Sequence, residues 1–171
     1  LNEIKPTGNT DVAPADSVVG VSIGVENVSK IYRAAKGDDV HALDEIDLSI
    51  KSGEFVSIVG PSGCGKSTLM MLISGLIPST SGVIRIDGGN QISGPLDKTA
   101  IVFQQDVLLD WRNVFDNVML PVEIKGLNRE HHERTGRDLL RSVGLGGFEQ
   151  KYPSELSGGM RQRVAICRAL V

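Results

Sequence analysis

The stretch Gly60-Pro61-Ser62-Gly63-Cys64-Gly65-Lys66-Ser67-Thr68 decides the fold, and it fits the pattern G-x-x-x-x-G-K-[ST] over its whole length. Glu54–Val59, directly before it, is a short apolar run rich in β-branched residues, which predicts a buried parallel strand. After it, apolar residues recur with the spacing of one helix face: Leu69, Leu72, Ile73 and Leu76. Strand, glycine loop and helix, in that order, are the context in which this pattern binds phosphate.

The residue types of the loop account for this chemistry. Glycines let the backbone curl so that successive N–H groups point at one anion, and the helix N-terminus adds its dipole. Lys66 is placed to reach the β- and γ-phosphate oxygens, and the Ser67 hydroxyl is placed to bind Mg²⁺. The alternative is a glycine turn that merely joins strand and helix, which the context disfavours. We therefore expect a nucleoside triphosphate site.

Composition excludes several classes of protein. The chain has 171 residues, a formal net charge of -3, and 23% charged and 40% apolar residues, with no basic excess for nucleic acid. No apolar run approaches the roughly 18 residues of a membrane span, and no signal peptide is recognisable, so we expect any work at a membrane to depend on docking to another subunit. Cys64 and Cys167 predict no disulfide and fit a reducing, cytosolic setting.

The first half of the chain predicts strands around this loop. Residues 1–20 lack periodicity and are expected to form a flexible tail. Alternating apolar residues in Val21–Val25 and Ala42–Ile50 predict two antiparallel strands, and Val83–Asp87 predicts another. Thr99–Phe103 is apolar and β-branched, and it predicts a second central strand.

The stretch from residue 108 to residue 152 carries no strand signal and predicts a mostly helical insert. Asn128 is a good N-cap for one of its helices, and Gly144 is a good residue to end that helix. Gly136 inside the same pattern weakens the helix prediction.

A second anion site is predicted where the last helix begins. Ser157 is placed as an N-cap, and apolar residues form a stripe along the helix: Met160, Val164, Cys167 and Val171. Taken alone, this pattern is as typical of an ordinary capped helix as it is of an anion site. Ser157 and the first amides of the helix nevertheless form an anion site similar to the one at Lys66. Two such sites on one chain cannot easily hold one phosphate between them, whereas a head-to-tail pair of chains can.

Four motifs, in this order, resemble those of the ATP-binding subunits of ABC transporters. Tyr32 matches the aromatic A-loop residue, Gly60–Thr68 the Walker A loop, Gln104 the Q-loop glutamine, and Leu156–Gln162 the signature loop. The resemblance implies an α/β, P-loop NTPase core of the ABC type, with an N-terminal antiparallel β subdomain and a helical insert. It covers residues 21–171, with the helical subdomain at about 108–160.

The resemblance also implies roles for single residues. Tyr32 would stack on adenine, although a half-buried strand aromatic is the alternative. Lys66 and Gln104 would serve catalysis, and Ser67 and Gln104 would bind Mg²⁺ beside ATP. The γ-phosphate held by the opposite subunit of a homodimer would be contacted by the signature residues Ser157, Gly158 and Gly159.

The segment Asp110-Trp111-Arg112-Asn113-Val114 resembles importers of the nitrate, sulfonate and taurine group, which usually have proline where Asp110 stands. This implies a peripheral ATPase subunit at the cytoplasmic face of the membrane, docked on permease subunits and, indirectly, served by a solute-binding protein. Gln104 and Trp111 would line the groove that receives the permease, unless Trp111 packs within the insert.

Three other functions are weighed against this one. A non-transport ABC ATPase usually carries long coiled coils or paired cassettes in one chain, and the spacing between Lys66 and Ser157 leaves no room for a coiled coil. A small-molecule kinase or GTPase would have no reason to carry the signature residues Leu156–Gly159. The third alternative is a non-catalytic binding module. The family's Walker B strand, D-loop and switch histidine follow the signature helix, and the chain ends at Val171 in a predicted helix. We therefore expect a fragment that is not catalytically competent alone.

Overall fold

A computed structural model describes residues 20–89, 92, 94 and 99–171. The chain divides into two compact units, residues 1–97 and 98–171. The first unit contains β1 (Ile23–Tyr32), β2 (Val40–Ile50), α1 (Lys66–Ile73) and β3 (Ser81–Ile86). The second contains α2 (Val114–Val118), α3 (Leu120–Ile124), α4 (Arg129–Ser142), a 3₁₀ turn (Pro153–Glu155) and α5 (Gly158–Leu170). Except for Gly20, the predicted tail lies outside the described residues.

β1 is the middle strand of a three-stranded antiparallel sheet with the order β2-β1-β3. Its pairing with β2 runs from Ile23 opposite Ile50 to Tyr32 opposite Val40. The predicted antiparallel strands and the strand at Val83–Asp87 are therefore confirmed. Their bounds agree within two residues, except that β1 continues to Tyr32, seven residues beyond the predicted end. One apolar core joins the sheet to α1, and its buried members are Val25, Val28, Leu43, Leu69, Leu72 and Ile84.

Two predicted strands are wrong. Neither Glu54–Val59 nor Thr99–Phe103 forms a strand in the described structure. The apolar side chains of the first run are largely in solvent, with Phe55 94% and Val59 88% exposed. An apolar, β-branched run becomes a strand only where a neighbour supplies its backbone hydrogen bonds. The three strands of the first unit pair only with one another, in the order β2-β1-β3, and Glu54–Val59 pairs with none of them.

The second unit is a cluster of short helices around one apolar core. Side chains from α2, α4 and α5 are fully buried in it, among them Val114, Val118, Leu140, Val164 and Cys167. The predicted caps are confirmed, since Asn128 Oδ1 accepts a hydrogen bond from Glu130 N at 2.9 Å and Ser157 Oγ accepts one from Met160 N at 3.3 Å. No helix of the described residues is long and apolar enough to cross a membrane.

Gly136, which weakens the sequence prediction for α4, is a packing residue. A Cβ at this position would lie 3.2 Å from Met119 Sδ and 3.3 Å from Phe115 Cε2, both buried. Glycine inside a helix costs about 1 kcal/mol relative to alanine. The close approach of Phe115 and Met119 to the α4 backbone offsets that cost. The helix then ends as predicted, with Gly144 at a φ of +73°.

Candidate functional site

The stretch Gly60–Thr68 consists of a loop, residues 60–65, and the first turn of α1, which begins at Lys66. Gly63 and Gly65 have φ angles of +83° and +94°, which L side chains rarely adopt. Gly65 is restricted a second time, because a Cβ there would lie 2.6 Å from the Ala42 carbonyl oxygen and 2.6 Å from Leu43 Cδ2. The loop therefore approaches β2 so closely that only glycine fits at position 65.

The Lys66 ammonium group lies across this loop. Its Nζ donates to the carbonyl oxygens of Gly60 at 2.9 Å and Pro61 at 2.6 Å, and lies 3.4 Å from Cys64 Sγ. The first N–H groups of α1 have no intrahelical partner, because Leu69 N makes the first such bond, to Gly65 O at 2.9 Å. A cation and a helix N-terminus thus stand together, and both attract an anion.

Two further side chains of the loop are open to solvent. Ser67, in the first turn of α1, is exposed, and its hydroxyl oxygen belongs to the ligand type that Mg²⁺ prefers. Cys64 is a free, exposed thiol, whereas Cys167 is free and buried. Burial raises the pKa of the Cys167 thiol. The two cysteines therefore differ strongly in accessibility.

Tyr32 lies at the same end of β2 as the loop. It pairs with Val40, and Gly65 approaches Ala42, two residues farther along that strand, a distance of about 7 Å. The tyrosine is 39% exposed, and Lys30 Nζ lies 5.2 Å from the centroid of its ring. The first unit thus brings an accessible aromatic ring and the glycine loop to one end of a hairpin.

In the second unit, Gln104 and the start of α5 line one open concavity of about 510 Å³. Gln104 is exposed and lies in a segment without regular secondary structure. Gly158 lines the same concavity, and the N-cap Ser157 precedes it in the chain. The predicted Q-loop glutamine and the predicted signature turn therefore share one surface.

Three side chains of α5 hold the Gln104 segment, and none of these contacts is predicted from the sequence. Arg161 Nε lies 2.8 Å from Asp106 Oδ2. Gln162 Nε2 donates to the Phe103 carbonyl at 3.1 Å, and Arg168 donates to the backbone of the same segment. Burial lowers the pKa of Arg168, and the Asp106 carboxylate opposes that shift. The only local signal was the i, i+7 spacing of Arg161 and Arg168, which puts both on one helix face.

Trp111 is 75% exposed, so the alternative that it packs within the insert is wrong. The loop that presents it is fixed by Asn117, a fully buried residue of α2. Asn117 Nδ2 donates to the carbonyls of Leu109 and Arg112, each at 3.0 Å, and Asn117 Oδ1 accepts from Leu109 N at 2.8 Å. A buried amide thus fixes the backbone of the loop that carries the exposed Trp111.

Comparison with known sequences identifies relatives over most of the chain. The profile described as ABC transporter matches residues 43–171. An uncharacterised ABC transporter ATP-binding protein of Methanocaldococcus jannaschii is 44% identical over 150 residues, which are 88% of this chain and 55% of that protein. The taurine import ATP-binding protein TauB of Burkholderia pseudomallei is 44% identical over 145 residues, 85% of this chain and 55% of its own. The chain therefore spans about half the length of these relatives.

Solved structures support the same grouping. A dimeric ATP-binding cassette in a post-hydrolysis state with ADP and Pi matches 86% of this chain and 68% of its own, with a TM-score of 0.76 and 36% identity. A dimeric bacterial ABC transporter cassette matches the same shares, with a TM-score of 0.75 and 37% identity. The predicted fold class is confirmed by these neighbours.

Proposed function

The chain belongs to the ABC transporter family, and we propose that it is the nucleotide-binding part of an ATPase subunit that energises solute import. The observation that carries this proposal is the loop at Gly60–Thr68, where the Lys66 ammonium lies across the loop carbonyls and the first N–H groups of α1 have no intrahelical partner. A polyphosphate is the ligand that such a combination of cation and helix N-terminus recognises.

The proposed reaction is phosphoryl transfer from ATP to water. Lys66 moves from the loop carbonyls to the β- and γ-phosphate oxygens, where its charge and the loop amides stabilise the developing negative charge. Ser67 would offer a hydroxyl oxygen to Mg²⁺, which would neutralise phosphate charge when bound, and Gln104 is proposed as a nucleotide-contacting residue of the second unit. Tyr32 stacks on adenine, since any base offers a face to an exposed aromatic ring.

The partner of the nucleotide site is a second copy of the chain. In this proposal Ser157, Gly158 and Gly159 of one copy face the γ-phosphate bound on the other. The exposed first turn of α5 fits that role, because the N–H groups of Gly158 and Gly159 precede the first hydrogen bonds of the helix and can donate to an anion. The solved relatives named above are themselves dimeric cassettes.

The solute is proposed to be a small anion of the nitrate, sulfonate or taurine type. Taurine import is the function in the name of a relative that is 44% identical to this chain. The exposed Trp111 and Gln104 are proposed to line the face that docks on the permease, which places the chain at the cytoplasmic side of the membrane. The solute-binding protein acts through the permease and does not contact this chain.

Equilibrium binding of Mg-ATP to Lys66→Ala tests the proposal. Charged hydrogen bonds contribute about 1.5–3 kcal/mol, so we expect the Kd to rise roughly 10- to 150-fold. Lys51→Ala is the matched control, because Lys51 follows β2 at the end of the strand opposite to Val40. Titration calorimetry in which both variants bind as tightly as the unaltered chain would refute the assignment of Lys66.

A further inference from the structure

The segment that carries Gln104 owes its position to α5 rather than to its own secondary structure. Residues 103–108 contain no helix or strand. Gln162 donates to the Phe103 carbonyl, and Arg168 donates to the carbonyls of Asp106 at 3.0 Å and Val107 at 2.9 Å. These are backbone contacts from the body of the helix, and they fix the segment's path without reaching the first turn of α5.

Arg161 differs because one guanidinium group joins two separate parts of the second unit. Its Nε lies 2.8 Å from Asp106 Oδ2, and its Nη1 donates to the Leu156 carbonyl at 2.9 Å. Asp106 is two residues beyond Gln104, and Leu156 directly precedes the N-cap Ser157. The Arg161 side chain therefore contacts residues next to both elements of this unit that are predicted to contact nucleotide, the Gln104 segment and the first turn of α5.

The chemistry of the bridge requires arginine. The two side chains of the Asp106–Arg161 pair are only 25% and 35% exposed, so water screens the pair incompletely. The planar guanidinium holds Nε and Nη1 in a fixed fork, which can serve a carboxylate and a carbonyl at once. A lysine ammonium is a single mobile point charge and would keep the carboxylate contact while losing the fixed direction toward Leu156.

We infer that Arg161 is a positioning residue that holds the Gln104 segment in register with the first turn of α5. This inference rests on the proposed function, in which Gln104 and Ser157 both approach nucleotide phosphates. Arg161 touches neither substrate nor metal. It acts through Asp106 and the Leu156 carbonyl, so that loss of the bridge frees the Gln104 segment and leaves the loop at Lys66 unchanged.

Backbone ¹⁵N relaxation of the isotopically labelled 171-residue chain, measured by NMR, tests this inference. In Arg161→Met we expect the order parameters of the backbone N–H groups of residues 104–108 to fall from about 0.85, the value of rigid backbone, to below about 0.6, and in the near-isosteric Asp106→Asn the same. Asp106→Glu keeps the carboxylate and should keep the order parameters of the unaltered chain, and Arg161→Lys should be intermediate. The matched control is Arg141→Met, which breaks an ion pair of equal length, 2.8 Å to Asp138, in the same unit.

The pattern of changes separates positioning from general destabilisation. A positioning role lowers the order parameters of residues 104–108 while those within α4 stay unchanged. Unchanged order parameters at residues 104–108 in both Arg161→Met and Asp106→Asn would overturn the inference, as would equal values in Asp106→Glu and Asp106→Asn. If the unaltered chain fails to bind Mg-ATP, the proposed function fails, while the relaxation comparison still decides whether Arg161 positions the segment.

Discussion

Gly65→Ala is the substitution that most sharply tests how the glycine loop is built. Position 65 has a φ of +94° and would place a Cβ 2.6 Å from both Ala42 O and Leu43 Cδ2. Gly63→Ala is a matched control in the same loop, because Gly63 has a φ of +83° but a Cβ there would meet nothing within 4 Å. The two variants share backbone strain and differ only in the collision with β2.

The magnitudes follow from these distances. A non-glycine residue held at such a φ costs about 1–3 kcal/mol, and Gly63→Ala should lose about that much, less about 0.4–1 kcal/mol regained from the stiffer unfolded chain. At 2.6 Å the added carbon lies about 1 Å inside normal carbon contact distance, so α1 or β2 must shift, which typically costs another 1–3 kcal/mol. We expect Gly65→Ala to lose that much more unfolding free energy than Gly63→Ala.

Urea denaturation monitored by far-ultraviolet circular dichroism measures both losses. Mg-ATP binding on the same samples shows whether the displaced loop also loses its ligand, and here Gly65→Ala should again be the weaker of the two. Equal unfolding free energies for the two alanine variants would refute the reasoning, because they would mean that the loop does not press against β2 at Ala42.

Three other predictions concern single side chains. Tyr32→Ala should weaken Mg-ATP binding by about 1–3 kcal/mol, as expected for one lost stacking partner, whereas Tyr32→Phe should bind normally in the same calorimetric titration. Iodoacetamide should label the exposed Cys64 of the native chain and spare the buried Cys167, whose pKa is raised by burial, and Mg-ATP should slow the labelling of Cys64. The backbone N–H of Tyr152 is the main cause that lowers the pKa of Glu155 below its usual 4.5. Because a lowered carboxyl pKa stabilises the fold above the unfolded value, this contribution should be complete above about pH 4.5 and disappear as the pH falls through the lowered pKa.

Each of these has a result that counts against it. Unchanged affinity in Tyr32→Ala would leave the ring as an ordinary strand residue. If peptide mass spectrometry shows that Cys64 is labelled at the same rate with and without Mg-ATP, its thiol does not lie beside the bound nucleotide. For Glu155, thermal melts from pH 3 to 7 should show a shallower acid limb in Glu155→Gln, and identical curves would contradict the pKa direction.

Local signals in the sequence predicted most of the secondary structure. Asn128 and Ser157 identify helix starts because a side-chain oxygen must satisfy free N–H groups there. Gly144 identifies a helix end because the required φ is positive. The alternation in β1 and β2 likewise reports which face is buried. Each of these signals is contained within a few neighbouring residues.

Non-local partners limited the remaining predictions. Glu54–Val59 and Thr99–Phe103 have the composition of strands, but a strand exists only with a paired neighbour, and composition does not specify one. Gly136 weakened the helix prediction for a related reason. It stands inside α4 because Phe115 and Met119 pack too close to the helix backbone for a larger residue. Both cases depend on residues distant in the chain.

The candidate site divides in the same way. The loop at Gly60–Thr68 was predictable because all its chemistry lies in nine consecutive residues. The bridge from Arg161 to Asp106 spans 55 positions, and the hold of Asn117 on the Trp111 loop depends on the complete burial of one amide. The spacing of residues along the sequence indicates neither that Arg161 contacts Asp106 nor that the Asn117 side chain is buried.

The most direct test of the central claim is amide NMR of the isotopically labelled chain during a titration with Mg-ATP. The largest shifts, saturating with one nucleotide per chain, should occur at the backbone N–H groups of Gly63, Gly65, Lys66 and Ser67, and Lys66→Ala should require far more nucleotide to reach them. Saturating shifts confined to other parts of the chain, with these loop amides unmoved, would contradict the claim that this loop holds the phosphates.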